Sequence, residues 1–150
     1  MIAVVQRVTQ AGVTVENPPY SASIRDGLCV LLGIEVGDDS SDAIWMAKKL
    51  ANLRVFKDSE GKMNMSLIDN AGELLLISQF TLVGDCSKGN RPSFMQAAAP
   101  EIAEPLVAKV GDLLQSQYSI PVQRGKFGEM MKIEITNDGP VTVVIQQRVN

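Results

Sequence analysis

The chain has 150 residues, a net charge of −3, 45% hydrophobic and 21% charged residues, and no histidine. This length suits a single domain, 1–150, with a sizeable core, and the composition is that of an ordinary soluble globular protein. The missing imidazole excludes Ser-His and Cys-His nucleophile pairs and His-ligated metals, and the negative balance removes any global pull on nucleic acid. No DNA partner is expected, and any nucleic-acid contact must be local.

In chain order, Ile2 to Val8 reads as a strand that Val13 and Val15 continue, until Asn17-Pro18-Pro19 breaks it. Ser21 to Ile24 and Leu28 to Ile34 read as two strands, with Asp26-Gly27 as a hairpin signal between them. Gly37 to Ser41 supplies turn and capping residues. Ile44, Ala47, Leu50 and Ala51 then recur at helical spacing, which predicts a helix over Asp42–Asn52. Arg54 to Phe56 reads as a short strand, and Asp58 to Gly61 as a turn. Leu74 to Leu82 reads as a buried strand with a polar interruption at Ser78-Gln79. Val83 to Pro92 is a polar loop and Ser93 to Ala99 a short helix candidate. Pro100 to Gln117 is a longer helix with Ile102, Leu106, Val110 and Leu113-Leu114 on its stripe; it either starts near Glu104 or kinks at Pro105. Gly125-Lys126-Phe127-Gly128 suggests a tight loop. Two alternating runs, Lys132–Thr136 and Val141–Gln147, close the chain. Strands at both ends with helices between them give an α+β class with a largely antiparallel sheet.

Cys29 and Cys86 are isolated, with neither a disulfide framework nor metal spacing. The N-terminus lacks a signal-peptide pattern, and the longest apolar run is too short for a bilayer, so the expected location is the cytoplasm, with no membrane partner.

Three segments carry candidate chemistry. Asn137-Asp138-Gly139-Pro140 lies between the two closing runs, where Asp-Gly predicts a tight reversal. Pro140 has no N–H to close such a turn, and Gly-Pro admits a cis peptide, so the loop leaves backbone oxygens free for other use. Ser78-Gln79-Phe80-Thr81 places three polar side chains in an otherwise buried strand, where they need partners. Thr81 as a nucleophile lacks an imidazole base. Backbone N–H groups of Phe80 and Thr81 acting as an oxyanion hole, with Gln79 positioning the substrate, need only geometry. Lys88-Gly89-Asn90-Arg91-Pro92-Ser93 is a basic loop before an expected helix start, where a phosphate could bind; the alternative is a plain solvated loop.

With these motifs assembled, the chain resembles the D-aminoacyl-tRNA deacylases over essentially its full length. The resemblance rests on Ala3-Val4-Val5-Gln6-Arg7-Val8, Gly61-Lys62-Met63-Asn64, Ser78-Gln79-Phe80-Thr81-Leu82, Lys88-Gly89-Asn90-Arg91-Pro92-Ser93-Phe94 and Asn137-Asp138-Gly139-Pro140-Val141-Thr142. Asn17-Pro18-Pro19-Tyr20 and Glu129-Met130 depart from the family's usual pattern. The resemblance implies a curled, barrel-like sheet with helices packed on it, and a cofactor-free homodimer. It implies hydrolysis of the ester joining a D-amino acid, or mischarged glycine, to the 3′-terminal adenosine of tRNA. In this reading a Gly139-cis-Pro140 loop enters the partner's site and rejects L-residues. Ser78, Gln79, Phe80 and Thr81 line the scissile ester, Met131 the adenine pocket, and Arg7 and Asn137 belong with the Gly-Pro loop. Lys88, Arg91, Arg124 and Lys126 are local candidates for tRNA contact. The rival readings are a deacylase with relaxed chirality and a non-catalytic module that binds an RNA end or a nucleotide.

Overall fold

The computed structural model describes residues 1–147. Strand β1 (Ile2–Val15) is the spine of a six-stranded mixed sheet with β2 (Tyr20–Ile24), β3 (Gly27–Gly33), β6 (Glu73–Ser78), β7 (Val122–Arg124) and β8 (Lys132–Gln146). β1 pairs antiparallel with β2 and β3 along one edge and with β8 along the other, while β3–β6 and β6–β7 are parallel. A two-stranded ribbon, β4 (Phe56–Lys57) and β5 (Met63–Met65), stands apart. The fold is α+β, as expected, with a mixed sheet that curls into a nearly closed barrel. The Tyr20 hydroxyl of β2 donates to the Arg124 carbonyl of β7 at 2.7 Å and ties two distant strands together.

Both faces of the central strands are buried, which explains their unbroken apolar runs. On β3, Leu28, Val30 and Leu32 face one core and Cys29 the other; on β6, Leu74 and Leu76 alternate with Leu75 and Ile77 in the same way. The first core is covered by helices α1 (Ser40–Asn52) and α2 (Pro100–Tyr118); the second fills the curled sheet together with Val8, Ala11, Val13 and Ile24.

Helix α1 begins with a capping box: Asp39 accepts from the Ser41 N–H, and Asp42 accepts from the Asp39 N–H. Hydrogen bonds from Ser41 hold the Asp39 carboxyl below its ordinary pKa. Its buried side chains are Ala43, Met46, Ala47, Leu50 and Ala51, so the expected Ile44 lies outside the stripe and is exposed. Helix α2 starts at Pro100, with Pro105 inside it, and buries Ala103, Leu106, Val110 and Leu114. Ile102 is exposed, contrary to expectation, because the buried arc begins one residue later.

Four local expectations are corrected. Asp26-Gly27 makes no hairpin: β2 and β3 pair in succession with β1, and a Cβ on Gly27 would stand 1.8 Å from the Glu73 carbonyl oxygen. That glycine serves the close approach of β6 rather than a turn. The buried strand ends at Ser78; Phe80–Val83 is a 3₁₀ turn. Ser93 to Ala99 is not helical, because its backbone is drawn into other pairings. Ser93 exchanges hydrogen bonds with Asp85, the Val36 N–H donates to the Gln96 carbonyl, and the Ala98 N–H to the Ile34 carbonyl. Last, Asn137 to Thr142 does not reverse the chain, and β8 runs through it as one strand.

That passage is a large bulge. Val8 faces Asn137 and Gln6 faces Thr142, so Arg7 alone stands opposite Asp138, Gly139, Pro140 and Val141. Both flanks pair with β1 in the same direction because a strand of 14 residues can serve them in turn. The Gly139–Pro140 peptide is cis, as is Asn17–Pro18.

Candidate active site

The Ser78–Thr81 segment lies at a strand end because Gln79 leaves the sheet. Its N–H still reaches the Leu32 carbonyl at 2.8 Å, but its backbone, at φ −147° and ψ 82°, turns the chain into the 3₁₀ turn. At the start of such a turn the first N–H groups have no partner within it. Among the described residues, the N–H groups of Phe80 and Thr81 accordingly donate to no protein acceptor, whereas those of Leu82 and Gly84 are bonded. The Gln79 side-chain amide donates to the Thr81 hydroxyl oxygen.

These four residues border a cavity of about 630 Å³. Its walls are mostly apolar, with Leu32 from β3 and Ile34 just after it, Ala103 and Val107 from α2, and Phe127 and Met131 ahead of β8. Met131 owes its position to Gly125: a Cβ there would lie 2.6 Å from the Met131 sulfur. Phe80 is exposed at the rim and meets Phe94 edge-on, with ring centroids 5.2 Å apart. Glu129 is the one carboxylate on the wall. Among the described residues no three His, Cys, Asp or Glu side chains converge as metal ligands would.

The structure brings together Ser78, Gln79, Phe80, Thr81 and Met131, and keeps Arg7, Asn137, Gly139 and Pro140 away from that cavity. The register line through Ser78 runs to Leu32 on β3, Ala3 on β1 and Ile145 on β8, whereas the bulge lies opposite Arg7, four residues further along β1.

Arg7 is buried, and its guanidinium anchors the bulge. Nε donates to the Asp138 carbonyl at 3.0 Å and pairs with its carboxylate at 3.2 Å, while Nη1 donates to the Val55 carbonyl at 2.6 Å. Gly139 has φ +133°, and a Cβ on it would stand 3.2 Å from Arg7 Nη2. Asn137, Gly139 and Pro140 are themselves exposed.

The four basic candidates separate. Lys88 and Arg91 lie in an exposed loop, and no helix starts at Ser93, so the expected helix amides are not there to assist them. Arg124 is occupied by Asp112, Gln115 and the Ala108 carbonyl on α2, against Gly111, which leaves room for its guanidinium. Lys126 lies 4.3 Å over the Tyr20 ring. Phe127 and Val107 were not singled out from sequence; the Gly-x-Phe-Gly spacing flagged a loop without saying which cavity it walls.

The family model described as D-Tyr-tRNA(Tyr) deacylase matches residues 4–146. A D-aminoacyl-tRNA deacylase of Natranaerobius thermophilus is 50% identical over 145 residues, covering 97% of this chain and 96% of that protein. Among solved structures, one titled c-Myc DNA Unwinding Element Binding Protein aligns with a TM-score of 0.92 at 42% identity, covering 99% of this chain and all of that one. A probable eukaryotic D-amino acid tRNA deacylase shares the fold, with a TM-score of 0.82 at 18% identity over 96% of this chain and 97% of that one.

Proposed function

The chain belongs to the D-Tyr-tRNA(Tyr) deacylase family of hydrolases, and from that premise we propose that it hydrolyses the ester between a D-amino acid and the 3′-terminal adenosine of tRNA. The observation that carries the reading is the pair of free N–H groups, Phe80 and Thr81, at the mouth of an apolar cavity of about 630 Å³ in a chain without histidine. The cavity takes the terminal adenosine, with Met131 against the base.

Water adds to the ester carbonyl carbon, and the two N–H groups receive the oxyanion; one such donor is worth on the order of 10²–10³ in rate. The carbon–oxygen bond to the ribose breaks, and the ribose 2′-hydroxyl relays the proton from water to the leaving oxygen. The products are a free D-amino acid and tRNA with its terminal hydroxyl restored. Thr81 lines this site without serving as nucleophile, and its hydroxyl is held by Gln79. Wall chemistry and substrate together supply the reaction, with no cofactor.

Chirality is read by the Gly139–Pro140 carbonyls, brought to the cavity by the second protomer of a two-fold dimer. Support comes from the distance between bulge and cavity within one chain, and from an outer edge of β8 that pairs with no strand among the described residues. Exposed Val144, Phe80 and Met130 add apolar surface for such a contact. The carbonyls accept from the α-ammonium of a D-residue, while an L side chain meets rigid backbone and is turned away. Glycine offers no side chain to reject and is also cleaved.

The reaction belongs to the cytoplasm, where charged tRNA is used; among the described residues no helix is long and apolar enough to cross a membrane. A net charge of −3 gives no footprint for duplex DNA, which disfavours transferring the DNA-binding title of the structural neighbour.

Incubation with D-Tyr-tRNA, L-Tyr-tRNA and Gly-tRNA tests the proposal: the first and third lose their ester and the second keeps it. Protection of D-Tyr-tRNA would identify a binding module, and cleavage of all three a deacylase without chiral selection. Sedimentation as a monomer at assay concentrations, with full activity, would remove the partner loop.

A further inference from the structure

A second cavity, of about 220 Å³, opens beside the first and shares Ser78, Val107 and Phe127 with it. It is smaller than an ordinary small-molecule pocket, and suits one group of a larger ligand whose main part lies next door. Its charged lining is Arg124, Lys126 and Glu104. Arg124 is spent on α2, through Asp112, Gln115 and the Ala108 carbonyl. Lys126 is different. It makes no ion pair among the described residues, and its ammonium rests 4.3 Å over the face of Tyr20. The Tyr20 ring is fixed in turn, because its hydroxyl donates at 2.7 Å to the carbonyl of Arg124, two residues before the lysine. A long flexible cation has thus been held at a cavity mouth without being neutralised. An aromatic face leaves a lysine's charge available to an anion, which a carboxylate partner would not.

We infer that this smaller cavity seats the phosphodiester preceding the terminal adenosine, with Lys126 as its counter-charge and Tyr20 as the residue that positions Lys126. The inference rests on the tRNA-deacylase reading and extends it by one nucleotide. A strand whose last nucleoside fills the large cavity must lead its preceding phosphate past the shared wall of Ser78, Val107 and Phe127. Lys126 stands at that wall. Glu104 lies in the same cavity and opposes the anion, so the site is tuned to a single phosphate within a tethered ligand rather than to free polyanions.

The test compares two substrates, D-Tyr-tRNA and D-tyrosyl-adenosine, the second of which lacks the phosphodiester. Lys126→Met is expected to raise KM for the tRNA about tenfold more than for the adenosine ester, the loss falling on KM rather than kcat. The slope of log KM against log salt for the tRNA should fall by about 0.7, the share of one phosphate on a single strand. Tyr20→Leu should reproduce the selective loss, whereas Tyr20→Phe, which keeps the ring face but gives up the hydroxyl's bond to the Arg124 carbonyl, should show a smaller selective loss than Tyr20→Leu; a merely structural role for Tyr20 would not distinguish the two substrates. Glu104→Gln should lower KM for the tRNA alone. Equal losses on both substrates, or an unaltered salt slope in Lys126→Met, overturn the inference and leave the deacylase reading standing. A wild-type protein that cleaves neither substrate overturns both.

Discussion

Replacing Gly139 by alanine tests whether the bulge is a shaped device or an incidental irregularity. Gly139 sits at φ +133°, and an added Cβ would lie 2.8 Å from Val141 Cγ2, 2.9 Å from the Val141 nitrogen and 3.2 Å from Arg7 Nη2. An L-residue at such a φ costs about 1–3 kcal/mol. Contact with a backbone nitrogen, which cannot rotate away, adds roughly another 1 kcal/mol. The total of about 2–4 kcal/mol is well short of the ~5–15 kcal/mol of a typical domain, so the variant folds. Gly89→Ala supplies the control, since Gly89 has φ +138° with nothing within 4 Å of its added Cβ. It bears the conformational cost without the contact, and both variants share an offset of about 0.4–1 kcal/mol from the stiffer unfolded chain. Urea unfolding of both variants isolates the contact contribution, and hydrolysis of D- and L-Tyr-tRNA reads its effect on function. Gly139→Ala is expected to unfold more easily than Gly89→Ala by about 1 kcal/mol, the contact contribution, and to lose at least tenfold of its D-over-L preference. Equal stabilities with wild-type selectivity would refute both the steric argument and the assignment of chiral reading to this loop.

Arg7→Met removes two charge-assisted bonds to carbonyls and leaves the buried Val55 oxygen without its donor; thermal or urea unfolding should show a loss of about 2–4 kcal/mol, and a loss below about 0.5 kcal/mol would deny the anchor. Thr81→Ala should keep appreciable deacylation of D-Tyr-tRNA, because the proposed oxyanion donors are backbone groups; abolished turnover in a folded variant would make Thr81 the nucleophile. Burial raises the Cys29 thiol from 9.0 to about 11, so between those values the unfolded chain gives up a proton that the folded chain retains. Stability therefore falls as pH rises through that window, and Cys29→Ala should flatten the fall. In the native state Ellman's reagent should find exposed Cys86 and spare Cys29; two thiols reacting at once would contradict the two-sided burial of β3.

Alternation and helical spacing were legible wherever a single local pattern had a single use. The runs around Leu28 and Leu74 announced buried strands, and the spacing of Ala47, Leu50 and Leu106, Val110 announced helices. Asp-Gly misled twice, at Asp26-Gly27 and Asp138-Gly139, because the dipeptide permits a turn without requiring one. In both places a distant strand decided the outcome: β6 presses against Gly27, and β1 is long enough to pair with both flanks of the 138–141 bulge. Ser93–Ala99 has helix-forming alanines but yields to pairing with Asp85, Val36 and Ile34. The polar side chains of Ser78–Thr81 were visible as an anomaly. The N–H groups of Phe80 and Thr81 were legible as possible donors, but their being unpaired depends on the exact residue at which β6 becomes a 3₁₀ turn. The walls supplied by Val107 and Phe127 come from segments that meet only after folding.

In β1, Ala3 shares the register line of Ser78, and Arg7 holds the bulge. The separation between the Ser78 edge of the cavity and the loop proposed to read chirality is thus ruled off by four residues of one hydrogen-bonded strand. In the proposed two-fold dimer the same span would set where each loop lands in the opposite cavity, at both sites together. The buried side chains of β1 are held by the cores they fill, and inserting or deleting one residue between Ala3 and Arg7 would in addition shift the bulge against the Ser78 line. The strand works as a gauge block, so the number of its residues matters as well as their kind.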